Sequence, residues 1–310
     1  MAGAGTEGAV RPGAPLVTAA AVLLPLGAGF GYALGAVAVQ RALGSGSDGR
    51  AVNLVCNGLM ALLFQILWLF PSAAVPWEWL PAPIACGFLF FLGQICTFRA
   101  ISAGDVSVAT PLLGTKVLFV TLFSVALCGR ALPASWWWAS LMATAGIGLV
   151  SWSPGHAGGR ILATVLWSLA AAVLFALTDV LVQQWVPRVG YARFAPLMFG
   201  AMGLFTLLHL PGGSPGKALS FPGKISMWLI AGGVLLSLQA LAMYSSIGLF
   251  GSASMTNILY GSRCLWSILI VWAIAHAARE GSDSPAVKGL FLRRLAGAVM
   301  LLGAMALVLR

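Results

Sequence analysis

YALGAVAVQ, Tyr32 to Gln40, returns as FALTDVLVQ, Phe175 to Gln183, and LLGTKVLF, Leu112 to Phe119, returns as LYGSRCLW, Leu259 to Trp266. The two offsets, 143 and 147 residues, are nearly equal, and the pairs keep their order along the chain. The second half therefore reads as a copy of the first. Apolar runs separated by breakers place ten spans near 15–42, 52–70, 82–103, 106–128, 134–153, 161–186, 191–211, 225–248, 252–278 and 291–309. A polar tail occupies residues 1–14, a first five-helix unit residues 15–153 and a second residues 154–310. Five is odd, so the copies enter the membrane from opposite sides. Such inverted repeats place a substrate site near the bilayer midplane and let two halves exchange access to it.

Composition sets the solvent. Of 310 residues, 60% are hydrophobic and 8% charged, with a mean hydropathy of +0.97. A soluble chain carries about 25% charged residues, so the expectation is an all-α polytopic membrane protein, multi-pass in the lipid bilayer. In a bacterium it would lie in the plasma (inner) membrane. The 17 Lys and Arg exceed the 7 Asp and Glu by ten, yet they are spread thinly over loops rather than gathered in a patch, which excludes a nucleic-acid partner. Cys56, Cys86, Cys96, Cys128 and Cys264 form no CxxC pair and read as small core residues. His156, His209 and His276 sit near span ends and form no constellation. No metal or other cofactor is expected, and no nucleophile with a base or carboxylate pair points to catalysis. Trp77, Trp79 and Trp136 to Trp138 cluster at span ends, where amphipathic rings favour the interface. Gly27, Gly31 and Gly35, four apart, read as a close-packing helix face, and Asn53, Asn57, Gln94, Gln239 and Asn257 as interhelical hydrogen-bond glue.

Of the 24 charged residues, 21 fall in tails, loops or helix ends. Lys116, Asp179 and Arg263 do not. An ionised side chain at mid-bilayer costs roughly 2.5–3.5 kcal/mol even on insertion scales, so each should face a partner or a watered cavity. One carboxylate cannot neutralise two cations, and the two cations occupy repeat-related positions in GTK and GSR. One positive charge is left for an anion. Ser252, Thr256, Arg263 and Ser267 recur at helical spacing, setting hydroxyls beside the guanidinium, and Thr115 adjoins Lys116. Substrate-binding candidates are thus Lys116, Arg263, Thr115, Thr256 and Ser267, a set suited to a phosphate or carboxylate group. Asp179 is open to two readings: a structural ion pair, or a site that takes up and releases a proton and accepts a cationic substrate.

With these positions in hand, the chain resembles the drug/metabolite transporter superfamily, built from two EamA-like five-helix units. Lys116 to Val150 is similar to the nucleotide-sugar transporter branch, at Lys116, Leu122, Phe123, Ser124, Arg130, Trp137 or Trp138, and Gly146. Asn257 to Leu259 with Arg263 is similar to that branch's second half. The resemblance implies a secondary-active permease of a small organic metabolite, with Lys116 and Arg263 on a substrate phosphate. Arg130 departs from the Glu typical after helix four, which Glu280 keeps in the second half. FALTDVLVQ, by contrast, is similar to the first helix of small multidrug-resistance proteins, which implies proton-coupled export of cationic or neutral compounds through Asp179; Ala36 stands at the repeat-related site. Implied partners are a small-molecule substrate and a coupling proton or counter-substrate, with the carrier a monomer or homodimer. The family expectation puts both termini in the cytoplasm. The positive-inside rule puts them outside, since five Lys and Arg lie on the side of the termini and ten on the other.

Overall fold

A computed structural model describes residues 19–47, 49–103, 106–151, 161–209, 227–277 and 285–310. The N-terminal tail, the start of the first span, the linker that joins the expected repeats, His156 and the basic residues Arg160, Lys217, Lys224 and Arg279 lie outside them. Hydrocarbon offers no partner for a backbone N–H or C=O, so a spanning chain must satisfy both internally. The described residues do this with α-helices: α1 (Ala19–Gly44), α2 (Gly49–Phe64), α3 (Pro81–Ala103), α4 (Val106–Gly114), α5 (Lys116–Cys128), α6 (Ala134–Ser151), α7 (Ile161–Val189), α8 (Tyr191–Leu208), α9 (Met227–Phe250), α10 (Ala253–Tyr260), α11 (Arg263–Ala277) and α12 (Pro285–Val308). Among them, seven helical stretches are long and apolar enough to cross a membrane. The protein is an all-α, multi-pass membrane protein. The ten-span expectation adds α6, the α10–α11 pair and α12 to those seven.

Packing follows a two-fold pattern. Helix α1 lies along α9 as α7 lies along α3, and α2 packs on α9 as α8 packs on α3. The pairs α2–α8 and α6–α12 map onto themselves under the same exchange. The aromatic centre stacks Phe64 on Phe199 at 3.8 Å between ring centroids, with Phe90 and Tyr244 edge-on to Phe199. A second core joins Ile147 of α6, Ile258 and Leu259 of α10 and Leu301 of α12. Leucines such as Leu62, Leu204 and Leu302 point outward, as a lipid-facing surface requires. At the ends, guanidinium groups lie over indole rings: Arg193 over Trp68 and Arg188 over Trp79 on one side, Arg41 over Trp228 and Arg99 over Trp167 on the other. These are the snorkelling basic residues and interfacial tryptophans of a membrane boundary.

The fourth and ninth spans differ from expectation, which took each as one continuous helix. At Thr115 the chain tightens, with the Thr115 N–H bonding the Leu112 carbonyl and the Leu118 N–H bonding the Thr115 carbonyl, three residues apart. The same tightening recurs at Gly261 and Ser262, where the Ser262 N–H reaches the Leu259 carbonyl and the Cys264 N–H the Gly261 carbonyl. Three-residue hydrogen bonds inside a helix mark a joint. Lys116 and Arg263 are the first residues beyond the two joints.

Of the expected glycine face on α1, Gly31 and Gly35 press on α9, where an added Cβ would meet Gln239 at 3.3 Å and Leu236 at 3.0 Å; Gly27 has nothing within 4 Å and is not part of the contact. The tighter seam joins α6 and α12: a Cβ on Gly297 would meet the Gly146 carbonyl at 2.7 Å, and one on Gly146 the Gly297 carbonyl at 2.9 Å. Only backbone fits there. Gly297→Ala should lower stability by about 1–3 kcal/mol, read as a drop in the unfolding midpoint in detergent, whereas Gly27→Ala should leave the midpoint unchanged or raise it slightly.

Candidate functional site

The three mid-span charges meet at the centre of the bundle. Helix α7 carries Asp179, fully buried, and α5 brings Lys116 so that Nζ lies 2.7 Å from Asp179 Oδ2. The same oxygen accepts a 2.7 Å bond from Asn257 Nδ2 on α10, while Oδ1 accepts one of 3.0 Å from the Tyr244 hydroxyl on α9. Four helices thus converge on one carboxylate. One turn on from Asp179, Gln183 Oε1 accepts the backbone N–H of Ala253 at 2.6 Å, satisfying a donor at the start of α10 that lacks a helical partner. Asn257 and Gln183 together fix the short helix α10 to α7.

Arg263 is placed differently. Its guanidinium carbon lies 4.6 Å from the ring centre of Tyr260 and 5.3 Å from that of Tyr32. Among the described residues it has no carboxylate partner. The π faces offer an attractive but uncharged surround. A cavity of about 10 Å³, room for about one water, joins the two cations, with Lys116, Asn257, Tyr260 and Arg263 on its wall. Gly29 permits the approach of α1: a Cβ there would meet the Arg263 backbone nitrogen at 2.9 Å.

Structure and expectation diverge on the hydroxyls. Thr115 Oγ1 donates to the Leu112 carbonyl at 2.6 Å, and Ser267 Oγ to the carbonyl of Arg263 itself at 2.8 Å. Thr256 Oγ1 lies 3.0 Å from Ser246 Oγ. These hydroxyls are engaged within the protein, and the joint at Gly261 and Ser262 interrupts the helical spacing that was to align Ser252 and Thr256 with the guanidinium. Asn257, read from sequence as interhelical glue, binds the central carboxylate. Tyr32, Tyr244 and Tyr260 were not anticipated. Their signal is position: an interfacial residue type placed in mid-span, away from the headgroups. Among the described residues, no group of His, Cys, Asp or Glu is arranged to hold a metal.

Comparison with known proteins bears on this arrangement. Residues 19–152 match the EamA-like transporter family. The first half of the chain is thus similar to an EamA-like transporter domain. Helix α1 and Lys116 lie inside the matched region. The chain is also 30% identical over 127 residues to solute carrier family 35 member F5 of Macaca fascicularis and to that of Pongo abelii, over 40% of its own length. It spans 29% and 24% of those relatives. A crystal structure superposes with a TM-score of 0.67 at 16% identity, covering 93% of this chain and 96% of the other, which establishes a shared fold.

Lys116→Met leaves the buried Asp179 carboxylate without its cation and should cost about 3–5 kcal/mol. The double variant Lys116→Met/Asp179→Asn should cost less than Lys116→Met alone, a coupling that denaturant or thermal unfolding in detergent will show. Tyr244→Phe, removing one donor from Asp179, should cost about 1–3 kcal/mol.

Proposed function

We propose that the protein is a secondary-active transporter of a small organic metabolite carrying a phosphate or carboxylate group. It works by alternating access between two five-helix units, residues 15–153 and 154–310. The observation that carries this reading is Arg263, a guanidinium at the depth of the central site whose charge no carboxylate balances among the described residues. A cation so placed is expensive in a membrane and is kept for a ligand. Its planar fork matches a carboxylate or phosphate in two-point contact. Lys116 stands across the shared cavity and, with one ammonium hydrogen directed at Asp179, retains others for the same anion. Support for the two-unit mechanism comes from the exchange symmetry of the helix contacts and from the matched joints at Thr115 and at Gly261 and Ser262. A joint beside each cation lets the half-helices tilt without breaking the remainder of the span.

Proton-coupled export of cationic or neutral compounds through Asp179 is the less supported reading. Both carboxylate oxygens already hold donors, and a lysine occupies the place a cationic substrate would take. Reconstituted into proteoliposomes, the protein should take up an organic anion, and Arg263→Ala should reduce uptake at least about tenfold, the loss of a hydrogen bond to a charged group. Uptake of every anion tested that is indifferent to Arg263→Ala and Lys116→Ala would exclude the anion site. Flux driven by a pH gradient and lost in Asp179→Asn would establish the alternative.

A further inference from the structure

The charges of the site do more than attract an anion; they set how many charges it can carry. From the geometry we infer that Asp179 is a specificity-determining residue that restricts the transported anion to a single negative charge, such as a monocarboxylate or a phosphodiester. This inference rests on the anion-binding reading above.

Lys116 is already balanced, its Nζ 2.7 Å from a carboxylate that is fully buried. That carboxylate is held by Tyr244 from α9 and Asn257 from α10 as well as by the lysine, so it is fixed in place rather than free to withdraw when a ligand enters. The repeat-related partner of Asp179 is Ala36 on α1, which brings no charge to Arg263. Arg263 is instead flanked by the neutral rings of Tyr32 and Tyr260. The site therefore holds one net positive charge. A monoanion closes it at neutrality. A dianion leaves an excess negative charge beside the Asp179 carboxylate in a cavity with room for about one water, and such like-charge juxtaposition costs several kcal/mol. Two cations without Asp179 would favour the dianion. The carboxylate thus converts a site for two charges into a site for one.

The purified full-length protein, in neutral detergent so that no anionic lipid headgroup competes, can be titrated with matched pairs that differ only in charge. Succinate with succinamate and glutarate with glutaramate serve, together with a phosphomonoester and its methyl diester. The ligand concentration that half-saturates the rise in unfolding midpoint reports affinity. The wild-type protein should prefer the singly charged member at least about tenfold. Asp179→Asn should abolish or reverse that preference while still binding anions. Lys116→Gln/Asp179→Asn, which restores one net positive charge, should return to the wild-type preference, and it tests the idea even if Asp179→Asn alone does not fold. A wild-type protein that binds both members equally, an Asp179→Asn variant that keeps the wild-type ratio, or a double variant that favours dianions would overturn the inference and leave the anion site standing. Absence of any shift with every anion would overturn both together.

Discussion

An ion in hydrocarbon must be compensated, and the interior of this protein is organised by that demand. Asp179 is the point at which it is met. The carboxylate draws Lys116 from α5, Tyr244 from α9 and Asn257 from α10 onto α7, so the same contacts that neutralise a charge also tie four helices together. Apolar packing alone would not specify this meeting, because lipid tails are as apolar as leucine and offer helices an equivalent surface. Directional bonds to one buried group select a single arrangement from many that are similarly greasy.

The fold is close to symmetric, and its chemistry lies where the symmetry fails. Contacts exchange in pairs, and both joints sit one residue before a cation. At those matched positions, however, the side chains differ. Asp179 faces Lys116, while Ala36 offers nothing to Arg263. The Thr115 hydroxyl folds back on the Leu112 carbonyl, whereas the Ser262 hydroxyl, buried against α1, has no hydrogen-bond partner among the described residues. A perfectly repeated site would have to neutralise both cations or neither; the broken one treats them separately.

Much of this was legible in the sequence, for identifiable reasons. The all-helical, multi-pass character follows from hydropathy, because the bilayer imposes one solution on every backbone, and the repeat is read from short matches at nearly equal offset. The central charges stood out because their cost is large at that depth. What could not be read was which cation Asp179 would choose, since that depends on how α5 and α11 approach α7 across more than sixty residues of intervening chain. The joints were equally hidden: Gly-Thr and Gly-Ser occur within apolar runs that read as continuous helix, and only hydrogen bonds three residues apart reveal the tightening. Thr256 and Ser267 show how local bonding also escapes the sequence. Helical periodicity aligned them with Arg263, but a hydroxyl in a membrane takes a nearby partner, here the Ser246 hydroxyl for Thr256 and the Arg263 carbonyl for Ser267.

The order of the chain determines when the Lys116–Asp179 contact becomes available. Helix α5 is synthesised before α7, so the lysine enters the bilayer before its counter-ion exists. The stretch Pro111–Cys128 is apolar enough, at a mean hydropathy of 1.9, to bear one unpartnered lysine during insertion, each Leu, Val or Phe contributing about −0.3 to −0.6 kcal/mol against it. Insertion then leaves a nascent helix with an unsatisfied cation, and arrival of α7 discharges it. The ion pair thus joins two helices through side chains that lie more than sixty residues apart in the chain.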